Sequence, residues 1–553
     1  MSDEAPRQAP AGRGFSVSYK GKTLLSAIDP IAQAERLAQT APVLERTLYL
    51  CPSPLYGYGL EALLARASPE SAVLCVEADQ RLLALSMQAM AELLEANAPV
   101  LGLVGSADPA LVCGYVRKTW GSRRFRRVEP IRLSGGWRLF PGLYDALADA
   151  LRRDFASDWG NAMTLTKLGR RYILNAVRNL AFLPKAMALQ ALHFGNAPIL
   201  VLGAGPSLDA LLDQADFFSS PAGVRSFKII CVDTALPALK ERNIKPDLAV
   251  ALESQHWNVK DFLGLGDWEV PIAMDLSALP ATRETLGGKI AFFATLWTEL
   301  RLFRRLSAAG LLPEVFPPLG SVGLTAVTAA LRLSSGPVII SGLDFSYTLD
   351  SFHARSAPSH SEGLRRQTRL RSRFNGEAAF QAGTVSGVSK SGGQVRTNPA
   401  LKLYRDLFEQ TFAGESRILD ITGPGLSLGV PTVSLEEARR ILQSGASPKK
   451  SRPEEPQKPS AAAVEAFIRR ERDALIALRD MMTGIIPGDA AVLETLLDEA
   501  DYLWSHFPDC AGAGGRRPSG RDISFLKRVR AEIDPLIRSF DMALAELLSL
   551  NDG

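Results

Sequence analysis

The sequence predicts an α/β protein in three parts: a Rossmann-like N-terminal domain, a larger central α/β domain on a mostly parallel sheet, and a helical C-terminal domain. Apolar strand-like runs alternate with helix-like runs from Thr47 to about residue 442, the pattern of parallel βαβ units. Several central runs are apolar without a break, as strands covered on both faces are. Past residue 460 only helical periodicity remains. The 553 residues leave room for several domains of roughly 100–200 residues each. Hydrophobic residues at 46% and charged residues at 22% exclude a disordered chain.

Residues 1–25 are expected to be a flexible tail, because Met1–Gly14 is polar and rich in Pro, Gly and Ala, with no apolar signal-peptide segment. The N-terminal domain, residues 26–160, opens with a strand at Thr47–Ser53 and a helix at Leu60–Ala67. A strand at Ser71–Ala78, a helix at Arg81–Ala96 and a strand at Pro99–Val104 follow. Its first turn, Ser53-Pro-Leu-Tyr-Gly57-Tyr-Gly59, is a poor G-x-G-x-x-G, and Pro52 and Pro54 remove amide donors from it. Glu77 and Asp79 close the next strand, an arrangement that Rossmann-type methyltransferases also show. A scaffold that binds no nucleotide is the expectation.

Residues 157–192 read as a connecting helix with Asn175 and Asn179 on one face. The central domain, residues 161–442, has strands at Pro198–Leu202, Phe227–Val232, Leu248–Leu252, Pro271–Asp275, Ile290–Thr295, Val338–Ser341 and Arg417–Ile421. Residues 443–460 are rich in Pro, Ser and charge and read as a linker. Residues 461–553 follow as the helical domain.

Charge narrows the function classes. Lys plus Arg number 63 and Asp plus Glu 59, a net charge of +4, which argues against a dedicated nucleic-acid binder. The five cysteines show no C-x-x-C spacing and read as buried thiols, and the five histidines form no H-E-x-x-H. No metal site is expected. No apolar stretch approaches the roughly 18 residues that span a bilayer. A cytoplasmic protein without nucleic-acid or membrane partners is expected.

The central domain carries the candidate chemistry. Leu202-Gly203-Ala-Gly205-Pro206-Ser207 joins a strand to a helix start, where glycines permit close backbone approach and a helix N-terminus offers N–H groups to an anion. Ser207 is expected as N-cap or as a hydroxyl donor to phosphate. The next strand ends at Asp233-Thr234 and the one after at Glu253, so three successive strands end in polar groups at one sheet edge, with Asp233 suited to ribose hydroxyls. Gly320-Ser321 opens a further helix as a second anion-friendly turn. The strand Val338–Ser341 leads to Asp344, then to His353.

The ordered motifs GAGPSL, CVDTAL with IKPDLAVALES, GSVGLTA, SGLDFSYTLDSFHA and VRTNPALKLY carry a resemblance. The chain resembles the motility-associated factor (Maf) glycosyltransferases, whose central domain is similar to archaeal 6-hydroxymethylpterin diphosphokinases and bacterial sialyltransferases. That resemblance implies a sialyltransferase-like, GT-A-variant central domain. It also implies transfer of a nonulosonic acid, of pseudaminic or legionaminic type, from its CMP derivative to Ser or Thr of flagellin. The implied CMP-holding residues are Gly203, Gly205, Pro206, Ser207, Asp233, Thr234, Glu253, Gly320 and Ser321. The implied catalytic residues are His353 and Asp344. Glu253 stands where the family has aspartate, and Gly323-Leu324 stands where relatives often carry a polar residue. The sialyltransferases place a histidine base in the segment matching Ser389–Thr397, which has none here.

No D-x-D occurs in the chain. This fits a donor leaving as a monophosphate, held by helix N-termini, hydroxyls and a cation, with no cofactor and no metal. His353 suits a base or a contact to the leaving phosphate, and a packed surface residue is its plainer reading. Asp344 orients a base, binds the acceptor or caps a turn. The basic run Arg117–Arg127 reads as a solvated face. A second run, Arg365, Arg366, Arg369, Arg371 and Arg373, reads as a lid attracting an anionic donor. Two other functions fit the same motifs: an ATP- and Mg²⁺-dependent pterin diphosphokinase, and a non-catalytic nucleotide-binding partner of flagellin.

Overall fold

The computed structural model describes residues 5–218, 225–297, 300–347, 353–370, 382–444, 458–484, 489–512 and 517–551. The chain forms two compact units, residues 1–169 with 504–519 and residues 170–503 with 520–553.

The first unit begins with structure where a tail was expected. Strands β1 (Arg7–Ala11), β2 (Gly14–Tyr19) and β3 (Lys22–Thr23) form an antiparallel sheet. Alternation along β2 turns Val17 and Tyr19 inward against Leu24, Leu55 and Leu82, burying surface a tail would leave wet. Strands β4 (Thr47–Pro52), β5 (Ala72–Val76), β6 (Leu101–Val104) and β7 (Arg127–Pro130) form a parallel sheet in the order β6-β5-β4-β7. Every residue of β4 and β5 is buried, which explains their unbroken apolar runs. β7 is an edge strand in which only Val128 is buried, so it left no apolar signature. Asp29, Asp79 and Asp108 cap the helices Pro30–Thr40, Gln80–Ala89 and Pro109–Thr119. The expected helix at Arg81–Ala96 is two, Gln80–Ala89 and Ala91–Ala96. The connecting helix is shifted from its expected place at 157–192: it runs unbroken from Pro141 to Leu180, and Leu189–Leu192 forms a separate 3₁₀ turn.

The second unit is built on nine parallel strands: β8 (Ile199–Leu202), β9 (Lys228–Val232), β10 (Leu248–Ala251), β11 (Ile272–Asp275), β12 (Ile290–Thr295), β13 (Glu314–Phe316), β14 (Val338–Ser341), β17 (Ile418–Ile421) and β18 (Thr432–Val433). Between them in sequence, β15 (Val385–Val388) and β16 (Gln394–Thr397) form a separate antiparallel hairpin. The sheet order is β13-β12-β11-β10-β9-β8-β14-β17-β18. From β8 the chain steps outward through β9 to β13, then returns to lay β14 on β8's other side. The switch point therefore falls between β8 and β14, where open α/β sheets bind ligands at their carboxyl ends. The helix Val322–Leu333 has nine of its 12 residues buried and forms the core beneath that edge.

The expected C-terminal domain does not stand apart by its contacts. Its helices Ala461–Met482, Ala490–Glu499 and Ile523–Asn551 fall within the second unit. The Arg305 guanidinium grips Glu471 at 2.7 and 2.8 Å and also reaches Glu499, Arg301 N–H donates to Asp501, and Arg283 pairs with Glu546. Residues 445–457 of the expected linker lie outside the described residues. Cys51, Cys75, Cys231 and Cys510 are buried. Among the described residues no helix is long and apolar enough to cross a membrane.

Candidate active site at the sheet switch point

The two turns flanking the switch point lock together through their glycines. Gly203 N–H donates to Ser341 O and Gly205 N–H to Gly342 O, both at 2.8 Å. A Cβ on Gly203 would stand 2.3 Å from Gly342 O, and one on Gly205 would stand 2.5 Å from Asp344 Oδ2. Gly342 itself takes φ +79°, open to glycine at little cost. The G-x-G spacing thus serves approach of one turn to the other.

Asp344 is buried and closes this joint. Its carboxylate accepts Ser207 N–H at 2.7 Å and Ser207 Oγ–H at 2.6 Å, and Ser207 Oγ accepts Gly342 N–H at 3.1 Å. These contacts are those of a cap, one of its sequence readings. The geometry also corrects Ser207: Pro206 is the N-cap, Ser207 is the first helical residue, and its amide and hydroxyl are already committed to Asp344. The helix N-terminus receives a protein carboxylate where a phosphate was expected.

Beneath Asp344 lies a lysine that sequence reading missed. The Lys390 side chain is fully buried, with Nζ 2.8 Å from Asp420 Oδ1 on β17 and 3.9 Å from Asp344 Oδ1. Burial pushes the Asp420 carboxyl up to about 6, against the opposing pull of Lys390. No periodicity announces a lone lysine in a Gly/Ser-rich hairpin.

The next strand ends form a second cluster. Asp233 is buried and accepts Thr234 N–H at 2.9 Å and Asn258 Nδ2–H at 3.1 Å, while Thr234 Oγ1 donates to Asp261 at 3.1 Å. Burial pushes the carboxyls of Asp233 and Asp261 up. Glu253 is half-buried and accepts Gln255 N–H at 2.9 Å. Burial, then the charge of Glu253, raises the Tyr172 and Tyr404 hydroxyls. Gly320, at φ +66°, faces Tyr404 closely enough that a Cβ there would touch its ring at 3.4 Å. Ser321 is half-buried, and its hydroxyl makes no capping bond. Asn175 and Asn179 do more than connect. Their amides donate to the carbonyls of Ser254 and Ser277 (3.0 Å each) and of Leu276 and Ala278 (2.9 Å each), clasping the loops after β10 and β11.

His353 sits on a segment tied to the first turn. Ala354 N–H donates to Ala204 O at 2.9 Å, and Arg355 N–H donates to Asp209 at 3.0 and 3.1 Å. Its Nδ1 shares a hydrogen bond with Ser359 Oγ at 2.7 Å, and burial pushes the imidazole down to about 4. The ring is therefore neutral near pH 7 and free to accept a proton, but a weaker base than a solvated imidazole. In the second basic run Arg366 pairs with Glu362, and Arg371 and Arg373 lie outside the described residues.

At the matching edge of the first unit, Glu77 is fully buried and accepts Ser53 Oγ–H at 2.6 Å and Tyr144 O–H at 3.4 Å. A Cβ on Gly59 would stand 2.6 Å from Ala34 O. The glycines of that turn pack protein against protein, and its strand-ending acid is not offered to a ribose.

A 6-hydroxymethylpterin diphosphokinase MptE-like family model matches residues 174–350. The solved structure of the MAf glycosyltransferase from Magnetospirillum magneticum AMB-1 aligns with TM-score 0.56 at 15% identity, covering 100% of this chain and 93% of that one, a likeness of fold. An uncharacterized protein of Treponema pallidum (strain Nichols) is 31% identical over 554 residues, 96% of this chain and 94% of its own. The chain belongs to one family with the Treponema protein, carries an MptE-like central domain, and has the α/β fold of a Maf glycosyltransferase.

Proposed function

We propose, on the premise of that family and fold, that the protein is a protein O-glycosyltransferase. It moves a nonulosonic acid of pseudaminic or legionaminic type from its CMP derivative to Ser or Thr of flagellin, in the cytoplasm and without a bound metal. The observation that carries this reading is the joint of the 203–207 and 342–344 turns at the switch point, with the His353 segment fastened to it. In this mechanism CMP departs, an oxocarbenium-like centre develops, and neutral His353 takes the proton of the acceptor hydroxyl. Half-buried Thr234, Glu253 and Ser321 contact the donor. Buried Asp233 and Asp344 act one step back, Asp233 holding Thr234 and Asp344 holding the first turn.

The test is the intact mass of flagellin co-expressed with this chain and a CMP-nonulosonate supply. Discrete sugar increments are expected, together with a fall of about 100-fold in rate for His353→Ala, the scale of general base catalysis. Flagellin of unchanged mass, with folded protein and donor present, overturns the reading. The MptE-like match over residues 174–350 favours one second reading, pyrophosphoryl transfer from ATP to a hydroxymethylpterin. Thermal shifts separate the two, since a ligand raises the melting point of the state it binds: CMP stabilises the transferase, and ATP with Mg²⁺ stabilises the kinase.

A further inference from the structure

The first unit carries a cavity of about 390 Å³ lined chiefly by Arg126, Arg127, Arg152, Phe155 and Trp159. It lies away from the edge closed by Glu77. Arg127 opens β7 and pairs in register with Thr47, the first residue of parallel β4, so the cavity is at the amino end of the sheet.

Its parts are fixed in place. The Trp159 indole donates to Phe125 O at 2.7 Å, and the guanidiniums of Arg46 and Arg126 lie 5.0 and 5.2 Å from its ring centre. Arg46 is itself anchored on the carbonyls of Arg123 and Arg124. Phe155 stacks on buried Phe125 at 5.7 Å and completes an aromatic floor. Arg152 donates to Val128 O and pairs with Asp149, its neighbour one helical turn away. Among the described residues neither Arg126 nor Arg127 has a carboxylate partner, and no acid lines the cavity.

We propose that this cavity binds a small organic oxyanion, a phosphomonoester or a carboxylate of sugar-phosphate size. Guanidinium groups match such oxyanions with paired N–H donors. The aromatic floor takes the uncharged part of the ligand, and the volume falls at the small end of the range for ligand sites, roughly 300–1,000 Å³. The arginine run expected as a solvated face thus divides. Arg117 is paired with Asp154 and Arg124 is spent on backbone carbonyls, while Arg126 and Arg127 face the cavity. The proposal does not depend on glycosyl transfer.

Isothermal titration of the full chain with ribose 5-phosphate, inorganic phosphate and gluconate tests it, in low salt, and heat that survives in the double variant below is assigned to other sites. Saturable binding at one site is expected, and comparison of the three probes tells phosphate from carboxylate preference. The double variant Arg126→Gln/Arg127→Gln is expected to weaken binding about tenfold or more, the scale of losing charge-assisted hydrogen bonds. Arg127→Gln alone, at an exposed position, gives a smaller loss with unchanged near-UV circular dichroism and guards against misfolding. Absence of saturable heat for every probe, or equal affinity in wild type and double variant, overturns the proposal.

Discussion

Both units place a strand, a glycine turn and a strand-ending acid at the switch point of a parallel sheet, yet only the second leaves serine and threonine hydroxyls of its turns within reach of solvent. In the first unit Ser53 and Glu77 are fully buried, Ser134 Oγ–H donates across the switch to Ser53 O, and the β1–β3 sheet packs on Leu55 and Leu82. In the second, Ser207, Thr234, Glu253 and Ser321 stay half-buried, although Asp344 and Asp233 behind them are sealed. Turn grammar alone does not separate a scaffold from a site. What separates them is whether the chain supplies its own cover.

The sharpest way to break that comparison is to remove the cation at each edge. Lys390→Ala strands Asp420 and is expected to lower stability by about 3–5 kcal/mol, as breaking a buried pair does. Lys20→Ala removes the exposed partner of Asp79 in the first unit and is expected to change stability by less than about 1 kcal/mol. Urea denaturation reads both, and equal losses would erase the distinction.

A smaller effect comes from the glycines. Gly205→Ala drives a methyl against Asp344 and Gly342 and is expected to cost about 1–3 kcal/mol and abolish the proposed transfer. Gly136→Ala, whose Cβ would stand 2.0 Å from Ser53 Oγ, is expected to lower stability and to leave the proposed modification of flagellin in place. Loss of modification in Gly136→Ala would make the first unit part of the catalytic machinery.

The smallest effect is in pH. Asp420 titrates near 6 in the folded protein against 3.8 for the free group, so its neutral form is favoured by folding. Its contribution is complete below about pH 4 and is lost as pH rises through 6. Asp420→Asn is expected to flatten that part of the stability profile, read by melting temperature between pH 4 and 7.

Much of the scaffold was legible. The seven expected central strands all form, because doubly covered strands are unbroken apolar runs and depend little on context. The two-residue β18 and three-residue β13 carry too few residues for a pattern, and β1–β3 hide in a Pro/Ala/Gly-rich segment. The site was legible as turns and not as partnerships. Ser207 and Asp344 are 137 positions apart, and Lys390 and Asp420 are 30 apart, distances at which a single sequence carries no periodic signal. Asn258 and Asp261 sit in the 3₁₀ segment His256–Phe262, which has neither helical nor strand alternation.

The asparagine clasp on the long helix has a bearing on how such a site diversifies. Asn175 and Asn179 hold the loops after β10 and β11 entirely by main-chain oxygens. A grip on carbonyls is indifferent to the side chains it carries. Exposed side chains of these loops can be exchanged while the helix keeps each loop at the same height above the sheet, and Ser277 is pinned by its bond to Asp275.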